Sequence, residues 1–598
     1  MKLSKLYSNQ PDFFQEIIFE SGLNVVLAEI RLPENRNKDT HNLGKTTLGY
    51  LLNFLLLTKR NPKFFLFKHL DLFQEFIFFL EIELFDGSFL TIRRSVKNPS
   101  RINFQKHKIS RQNFVELPED YWAHQDVPFQ RSLKIFDGLL DLRSFKPWSF
   151  RKGIGYQLRS QEDYRDVFQL GKFIGKHSDW KPFLAHLTGF NAELITAYYE
   201  KEKQIEDKKK QEQVIQNEFG GSLEDISKIE GMILLKQKEL EKKQAFLDAF
   251  DFRSQDKERT EQLVDQIDER IAVLNAERYS LQKNRKKIKE SLKEEHILFH
   301  PDDAQRLFKE AGILFDGQIK RDFQQLIAFN RAITDERCAY LQEELREVED
   351  RLKEVNAERD GLGRQRSETL SFLNETDVFN KYKKFSNELV TLKADLSSLE
   401  RQRDSLRRLQ GLRTDLRRLK EELGHLQADL ESDVELQNSD PSCLFSSIRV
   451  FFNEIVEEVI NRKALLSVVT NNEGHLEFKA EILDESGNST SAGMGNTYRK
   501  LLCTAFDLAV LRAHLDRKFP RFVYHDGVFE SLDPRKKENL LNVIRRYNNL
   551  GIQIVITLID SDMPPQAEEG KRVFADQEII LRLHDENEQG LLFKMPSW

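Results

Sequence analysis

Hydrophobic and polar positions change rhythm twice along the chain. Between residues 13 and 30 apolar positions first alternate and then run together (Phe14, Ile17, Ile18, Val25, Val26, Leu27), the pattern of two strands. The run Leu48 to Leu57 predicts a helix, and Phe73 to Phe85 with Ser88 to Arg94, joined by Asp86-Gly87, predicts a β-hairpin. From about Asn191 to Asp433 the apolar or long-stemmed positions recur at alternating intervals of three and four. Val264, Ile267, Ile271, Leu274, Arg278, Leu281, Arg285, Ile288 and Leu292 form one set, and Leu341, Leu345, Val348, Leu352, Val355, Arg359 and Leu362 another. Leu389, Leu392, Leu396 and Leu399 continue it, as the a/d seam of a coiled coil does.

From His296 to Arg331 the heptad is lost around Pro301, Gly312 and Gly317, which predicts a small compact tip where the chain reverses and the two arms pair antiparallel. Each arm has about 95 residues, so a straight arm would reach about 140 Å at about 1.5 Å per residue. Ala249 to Phe252 and Asp377 to Phe379 interrupt the seam at similar distances from the tip. They are either a shared elbow or two unrelated stutters.

After Leu444 strand-like patterning returns. Ser446 to Arg462 reads as an amphipathic helix, Leu465 to Leu483 as strands around Asn472-Glu-Gly474, and Tyr498 to Leu515 as a long helix. Strands follow at Arg521 to Asp526 and Gly551 to Thr557, with a final pair near Ile579 to Leu583 and Gly590 to Phe593. The expected organisation is an α/β head built from both chain ends, a mixed sheet with flanking helices, with a long antiparallel α-helical coiled coil inserted. Its parts are 1–190, an ascending arm 191–295, a tip 296–331, a descending arm 332–433, and 434–598.

Composition agrees with that division. At 598 residues the chain exceeds one ordinary core, and 32% charged beside 39% hydrophobic residues suits a long solvated helical element. A net charge of −6 excludes an overall basic, DNA-coating protein but not a local basic surface. Arg93 to Arg111 is such a strip, with seven Lys or Arg and no acid, and reads either as a phosphate-backbone contact or as a solvated loop. Three scattered cysteines (Cys338, Cys443, Cys503), no C-x-x-C and no apolar run long enough to span a bilayer predict a cytoplasmic protein.

The chemistry concentrates in Asp39-Thr-His-Asn-Leu-Gly-Lys-Thr-Thr-Leu48, between an apolar strand and an apolar helix. A phosphate loop needs backbone N–H groups converging on an anion, a glycine at the point of closest approach, a lysine for the outer phosphates and a hydroxyl for Mg²⁺. Gly44, Lys45 and Thr46 fit those roles, with Asn42 and Thr47 beside them, although Asp39 stands where the motif has its first glycine. Asp526, an acid ending a strand, suits Mg²⁺ coordination beside such a loop. A glutamine could also reach the ion, and Gln161 and Gln157 are both available.

Gly22-Leu-Asn24 before the loop, Ser491-Ala-Gly493 opening a helix, Asp526, and Leu532-Asp533 occur in an order that resembles the SMC, RecF and RecN group of coiled-coil ABC ATPases. The likeness covers about 13–100 and 444–598. The Asn42-Leu-Gly-Lys-Thr loop, the Tyr524 to Asp533 segment and the short tip look most like the bacterial SMC-like proteins of anti-phage defence operons, the ABC-three-component and Lamassu kind.

That resemblance implies ATP with Mg²⁺, and a head-to-head homodimer in which Ser491 and Gly493 contact the γ-phosphate held by the second head, with Asp533 beside them. It also implies double-stranded DNA as a partner and a separately encoded effector, often a nuclease; the chain itself carries no recognisable nuclease site. A RecN- or RecF-like repair ATPase, or a structural coiled-coil protein that has lost ATP use, are the other readings. Gly527 stands where the group has its catalytic glutamate, and Leu558-Ile-Asp560 carries no histidine after Thr557. Glu530 or Asp560 is then left as the general base, hydrolysis is expected to be slow, and Gly527→Glu is expected to raise it.

Overall fold

The computed structural model describes residues 1–32, 43–173, 175, 177–219, 225–248, 257–293, 317–371, 376–490, 495–565 and 572–596. The chain divides into two compact units, Met1–Gln204 with Leu419–Trp598, and Ile205–Arg418.

In the first unit the strand senses are sorted into separate sheets. Six strands form an antiparallel sheet: β1 (Lys2–Ser8), β2 (Ile17–Ile18), β4 (Ile77–Glu83), β5 (Phe89–Ser95), β6 (Arg101–His107) and β7 (His124–Pro128), in the order β2-β1-β4-β5-β6-β7. The expected hairpin is β4–β5, in register from Ile77↔Ser95 to Glu83↔Phe89, and Gly87 at φ 75 closes its turn. The first strand starts four residues later than its pattern, because Leu70–Phe73 forms a helical turn.

Five strands form a parallel sheet in the order β13-β3-β12-β11-β8: β3 (Leu23–Glu29), β8 (Leu158–Arg159), β11 (Phe522–Asp526), β12 (Gln553–Ile559) and β13 (Ile579–His584). Their continuous apolar runs follow from burial on both faces. Val25 pairs with Ile556 and Tyr524 with Val555, so strands from opposite ends of the chain lie side by side. Such a sheet offers its binding crevice beyond the carboxyl ends of its strands. β3, β11 and β12 end there, at Glu29, Asp526 and Ile559. A separate two-stranded ladder pairs β9 (Ala464–Thr470) with β10 (Leu476–Ile482).

The expected last strand, Gly590 to Phe593, is absent. Phe593 makes one bridge to Phe14, and its ring packs 5.2 Å from that of Phe14, 5.0 Å from Phe73 and 5.8 Å from Phe76. Aromatic packing places this segment together with two backbone bonds, Leu592 N–H to the Leu43 carbonyl at 3.1 Å and Lys594 N–H to the Phe13 carbonyl at 3.0 Å.

The second unit is helical. Within it, Asp225–Asp248 runs antiparallel to the part of the helix Thr376–Ser439 that precedes Leu419, through Lys236–Asp395 and Lys243–Glu388 ion pairs, each 2.6 Å. Lys257–Lys293 runs antiparallel to Gly317–Ser371 through Arg270–Glu358 at 2.7 Å and Glu277–Arg351 at 2.8 Å.

The two pairs do not continue one another as straight arms. Ser386 Oγ donates to Asp268 Oδ2 at 2.6 Å, and Arg366, 5% exposed, touches Asp268, Ser386 and Asn387 together. A cleft of about 530 Å³ is lined by Met232 and Lys236 from one pair, Tyr279 and Gln282 from the other, and Asp395 and Arg401. On a straight arm Met232 and Tyr279 would be about 70 Å apart at about 1.5 Å per residue. The second pair therefore folds back along the first, which corrects the extended 140 Å arm.

The helices are described as far as Asp248 and Ser371 and again from Lys257 and Thr376, and Ala249 to Phe252 lies outside the described residues. Of the expected tip, 296–316 also lies outside them, and 317–331 opens the helix Gly317–Ser371. Among the described residues no helix is long and apolar enough to cross a membrane.

Candidate nucleotide site

Gly44 caps the helix Lys45–Leu55 with φ 102 and ψ 10, the left-handed region that favours glycine. A Cβ there would stand 2.5 Å from Leu592 Cβ, so both backbone and packing require glycine. Gly44, as the N-cap residue, brings no side chain to this N-terminus, whose first N–H groups have no partner within the helix itself. At the other end Arg94 contacts the Phe54 carbonyl and Arg151 donates to the Leu56 carbonyl at 2.8 Å, two cations on the negative end of the helix. Burial pulls Arg94 down to about 9 and Arg151 to about 10.

The helix is fixed against β11 by close contact. The ring of Tyr524 lies where a Cβ on Gly49 would be, 2.7 Å away, and its hydroxyl donates to the Lys45 carbonyl at 2.8 Å. Thr46 Oγ1 donates to Asp526 Oδ2 at 2.7 Å, Thr557 Oγ1 donates to Asp526 Oδ1 at 2.5 Å, and Gly527 N–H donates to Thr557 Oγ1 at 3.0 Å. Asp526 is fully buried. Burial holds the Lys45 ammonium below its ordinary value, against the pull of Glu530, Asp526 and Asp562. Thr47 is the third residue of the same helix. Asn42, Ser491 and Gly493 lie outside the described residues.

Glu530 stands over Gly527. Gly527 has φ 69, and a Cβ built on it would be 2.4 Å from Glu530 Oε1, so the carboxylate fills the space a side chain at 527 would take. Lys500 pairs with Glu530 Oε2 at 2.5 Å, and Gln161 Nε2 donates to Oε1 at 3.1 Å. The larger residue of Gly527→Glu would meet a left-handed backbone, and the Glu530 carboxylate would have to move aside for it.

Of the two glutamines, Gln161 reaches this carboxylate, whereas Gln157 is buried at the end of the helix Phe150–Gln157. Asp560 accepts from Ile30 N–H at 3.3 Å and from Ser561 N–H at 2.9 Å. Asp533 is the N-cap of Pro534–Asn549, accepting from Lys536 N–H at 3.0 Å. Among the described residues no three His, Cys, Asp or Glu group to hold a metal ion. A site of one hydroxyl and one carboxylate relies on phosphate oxygens for the remaining positions.

A second set of residues escaped the sequence reading. Arg159 pairs with Asp507 through Nε at 2.7 Å and Nη2 at 2.8 Å, and His525 Nε2 lies 3.0 Å from Asp507 Oδ2. All three are almost fully buried, and Arg159 also donates to the carbonyls of Asp163 and Val167 at 2.8 and 3.1 Å. This network ties the turn carrying Gln161 to the helix Asn496–Ala513 and to the strand ending in Asp526. Adjacency in sequence was its one available signal, Arg159 before Gln161 and His525 before Asp526.

The basic strip lies on β5, β6 and their flanks. Arg94 is buried, and Arg93, Lys97, Arg101, Lys106 and Arg111 pair with Glu119, Glu75, Asp126, Asp86 and Glu20 at 3.2, 3.9, 3.6, 2.7 and 2.9 Å. Its net charge toward a phosphate backbone is thereby reduced.

Residues 455–597 match a family model described as an uncharacterised protein conserved in bacteria (DUF2326). No curated protein matches the chain. Among solved structures, an Smc head domain with a coiled coil and joint from Pyrococcus yayanosii is 14% identical over 93% of this chain and 92% of that one, with a TM-score of 0.35. An Smc head domain with an extended coiled coil bound to the C-terminal domain of ScpA, from Pyrococcus furiosus, is 11% identical over 94% and 90%, with a TM-score of 0.32. An SmcHead bound to the C-winged helix domain of ScpA is 25% identical over 20% and 36%, with a TM-score of 0.17. Scores of this size do not establish a shared fold.

Proposed function

We propose that the chain is an SMC-like ATPase head that binds ATP with Mg²⁺ at the loop around Gly44, Lys45 and Thr46 and hydrolyses it slowly. The observation that carries this is the Thr46 to Asp526 hydrogen bond of 2.7 Å, which joins the loop helix to an acid at the carboxyl end of a parallel strand. The donor set fits the ligand: the N–H groups of the helix start after Gly44 and Lys45 for phosphate oxygens, and the Thr46 hydroxyl with the Asp526 carboxylate for the cation, with Gln161 near. Mg²⁺ would neutralise charge on the phosphates.

Glu530 takes a proton from the attacking water, whose oxygen bonds to the terminal phosphorus as the bond to the bridging oxygen breaks and ADP leaves with that electron pair. Asp560, tied to backbone N–H groups, is the second choice for this role.

The finer reading rests on the sequence resemblance. Two heads close on two ATP molecules through Ser491 and Gly493, with Asp533 at the turn beside them. The protein works in the cytoplasm as a DNA sensor or clamp that controls a separately encoded effector in anti-phage defence. Three unpaired cysteines fit a reducing compartment. The test is ATP binding and turnover for the natural chain and for Lys45→Ala, with and without duplex DNA. Equal and poor binding by both would overturn the ATPase reading. DNA affinity that ignores salt would overturn a phosphate-backbone contact.

A further inference from the structure

Lys500 has no place in the phosphate loop, yet it holds the best-placed carboxylate of the site. It sits in the first turns of the helix Asn496–Ala513, directly after the 491–494 segment. Its ammonium contacts Glu530 Oε2 at 2.5 Å and lies 3.4 Å from the Gly527 carbonyl, while Gln161 occupies Oε1. Both side chains are shielded, 17% and 25% exposed, so the pair is screened less than a surface ion pair.

Resting on the reading of Glu530 as the base, we infer that Lys500 is a positioning residue that restrains hydrolysis. It holds the Glu530 carboxylate over Gly527 with its charge compensated by the ammonium. A carboxylate compensated by a cation at hydrogen-bond distance is a poor acceptor for a water proton, because proton transfer would leave the cation unpaired in a shielded site. Lys500 reaches Glu530 from a different element than the one Glu530 belongs to, so replacing this one side chain alters the surroundings of the carboxylate while the Asp507 network still ties the helix to the strand ending in Asp526.

The experiment is steady-state ATP turnover by the full chain at concentrations low enough to keep it monomeric. Four forms are compared: natural, Lys500→Met, Lys500→Arg, and Lys500→Met with Glu530→Gln. Lys500→Met is expected to raise kcat about tenfold with KM within twofold. Lys500→Arg, which keeps a cation, returns the rate toward the natural one, and the double variant loses the gain.

A fall in kcat for Lys500→Met, at unchanged nucleotide affinity, would overturn the inference and make Lys500 an activating group. A gain that survives Glu530→Gln would overturn it too. Glu530→Gln alone tests the underlying reading separately: an unchanged rate in that variant removes Glu530 as base, whatever Lys500 does. If Lys500→Met fails to fold, Lys500→Gln is read in its place against the same outcomes.

Discussion

The Thr46 hydroxyl donates to Asp526 Oδ2 at 2.7 Å across 480 residues of sequence. Both groups would be ligands of one cation, so their hydrogen bond holds the two halves of the site at coordinating distance before any ion arrives. Thr46→Val keeps the shape and deletes the hydroxyl. It should weaken nucleotide affinity in Mg²⁺ about tenfold or more, since a hydrogen bond to a charged group contributes about 1.5–3 kcal/mol. Affinity in EDTA should change less. Calorimetry in both conditions checks this, and equal losses would place Thr46 outside the cation site.

Glu530→Gln should lower kcat by about 10²–10⁴ with KM little changed, the usual contribution of a general base. Asp560→Asn should leave most of the rate, because Asp560 serves backbone N–H groups of Ile30 and Ser561. Single-turnover kinetics on the two variants decides, and the reverse result would assign the base to Asp560.

Gly527→Ala should destabilise the head by about 1–2 kcal/mol for the left-handed backbone alone, with a further cost where Glu530 must retreat. The Gly527→Glu variant should show a lower unfolding midpoint and no gain in rate. Combining it with Glu530→Ala, which clears the space, should recover part of the midpoint. A single variant as stable as the natural chain would mean that the turn adjusts freely.

His514 is 2% exposed, with Nε2 2.8 Å from the Leu187 carbonyl and its ring stacked on Phe519 at 4.5 Å. Burial lowers its pKa to about 4 from 6.5. The unfolded chain therefore binds a proton that the folded one refuses, and stability present above pH 6.5 is lost as pH falls toward 4. The loss should be about 2 kcal/mol between pH 7 and pH 5. Denaturant midpoints of the natural chain and His514→Gln at the two pH values test it, with the variant expected to lose about that much less.

Asp507 answers two buried partners, Arg159 and His525, and its deletion strands a guanidinium with no water to receive it. Asp507→Ala should cost about 3–5 kcal/mol, as breaking a buried pair does. Replacing Arg159 and Asp507 together by apolar residues of similar volume should cost less than that. A single variant within 1 kcal/mol of the natural chain would mean that water enters the network.

Much of the head could be read from pattern. Apolar runs, Asp86-Gly87 and the Gly44-Lys45-Thr46 spacing are local signals, and the β4–β5 hairpin and the helix after Gly44 follow from them. What escaped depends on partners far apart in sequence. Leu158–Arg159 is too short to register as a strand, yet it pairs with Tyr524 and His525 and brings Arg159 to Asp507. Arg366 and Asp268 look like solvated coil charges, and only the fold-back buries Arg366 and half-buries Asp268. Lys500 reads as an ordinary helical lysine until the turn at Gly527 sets Glu530 beside it.

The turn after Asp526 has one more effect. A carboxylate borne by the residue following a strand would inherit the stiffness of the sheet. Glu530 instead belongs to the short bend that ends at Asp533, the cap of the next helix, with Ser531 at φ 65 between them. Its aim is set by three residues of loop and by the start of the helix they lead into, one step removed from the sheet that carries Asp526.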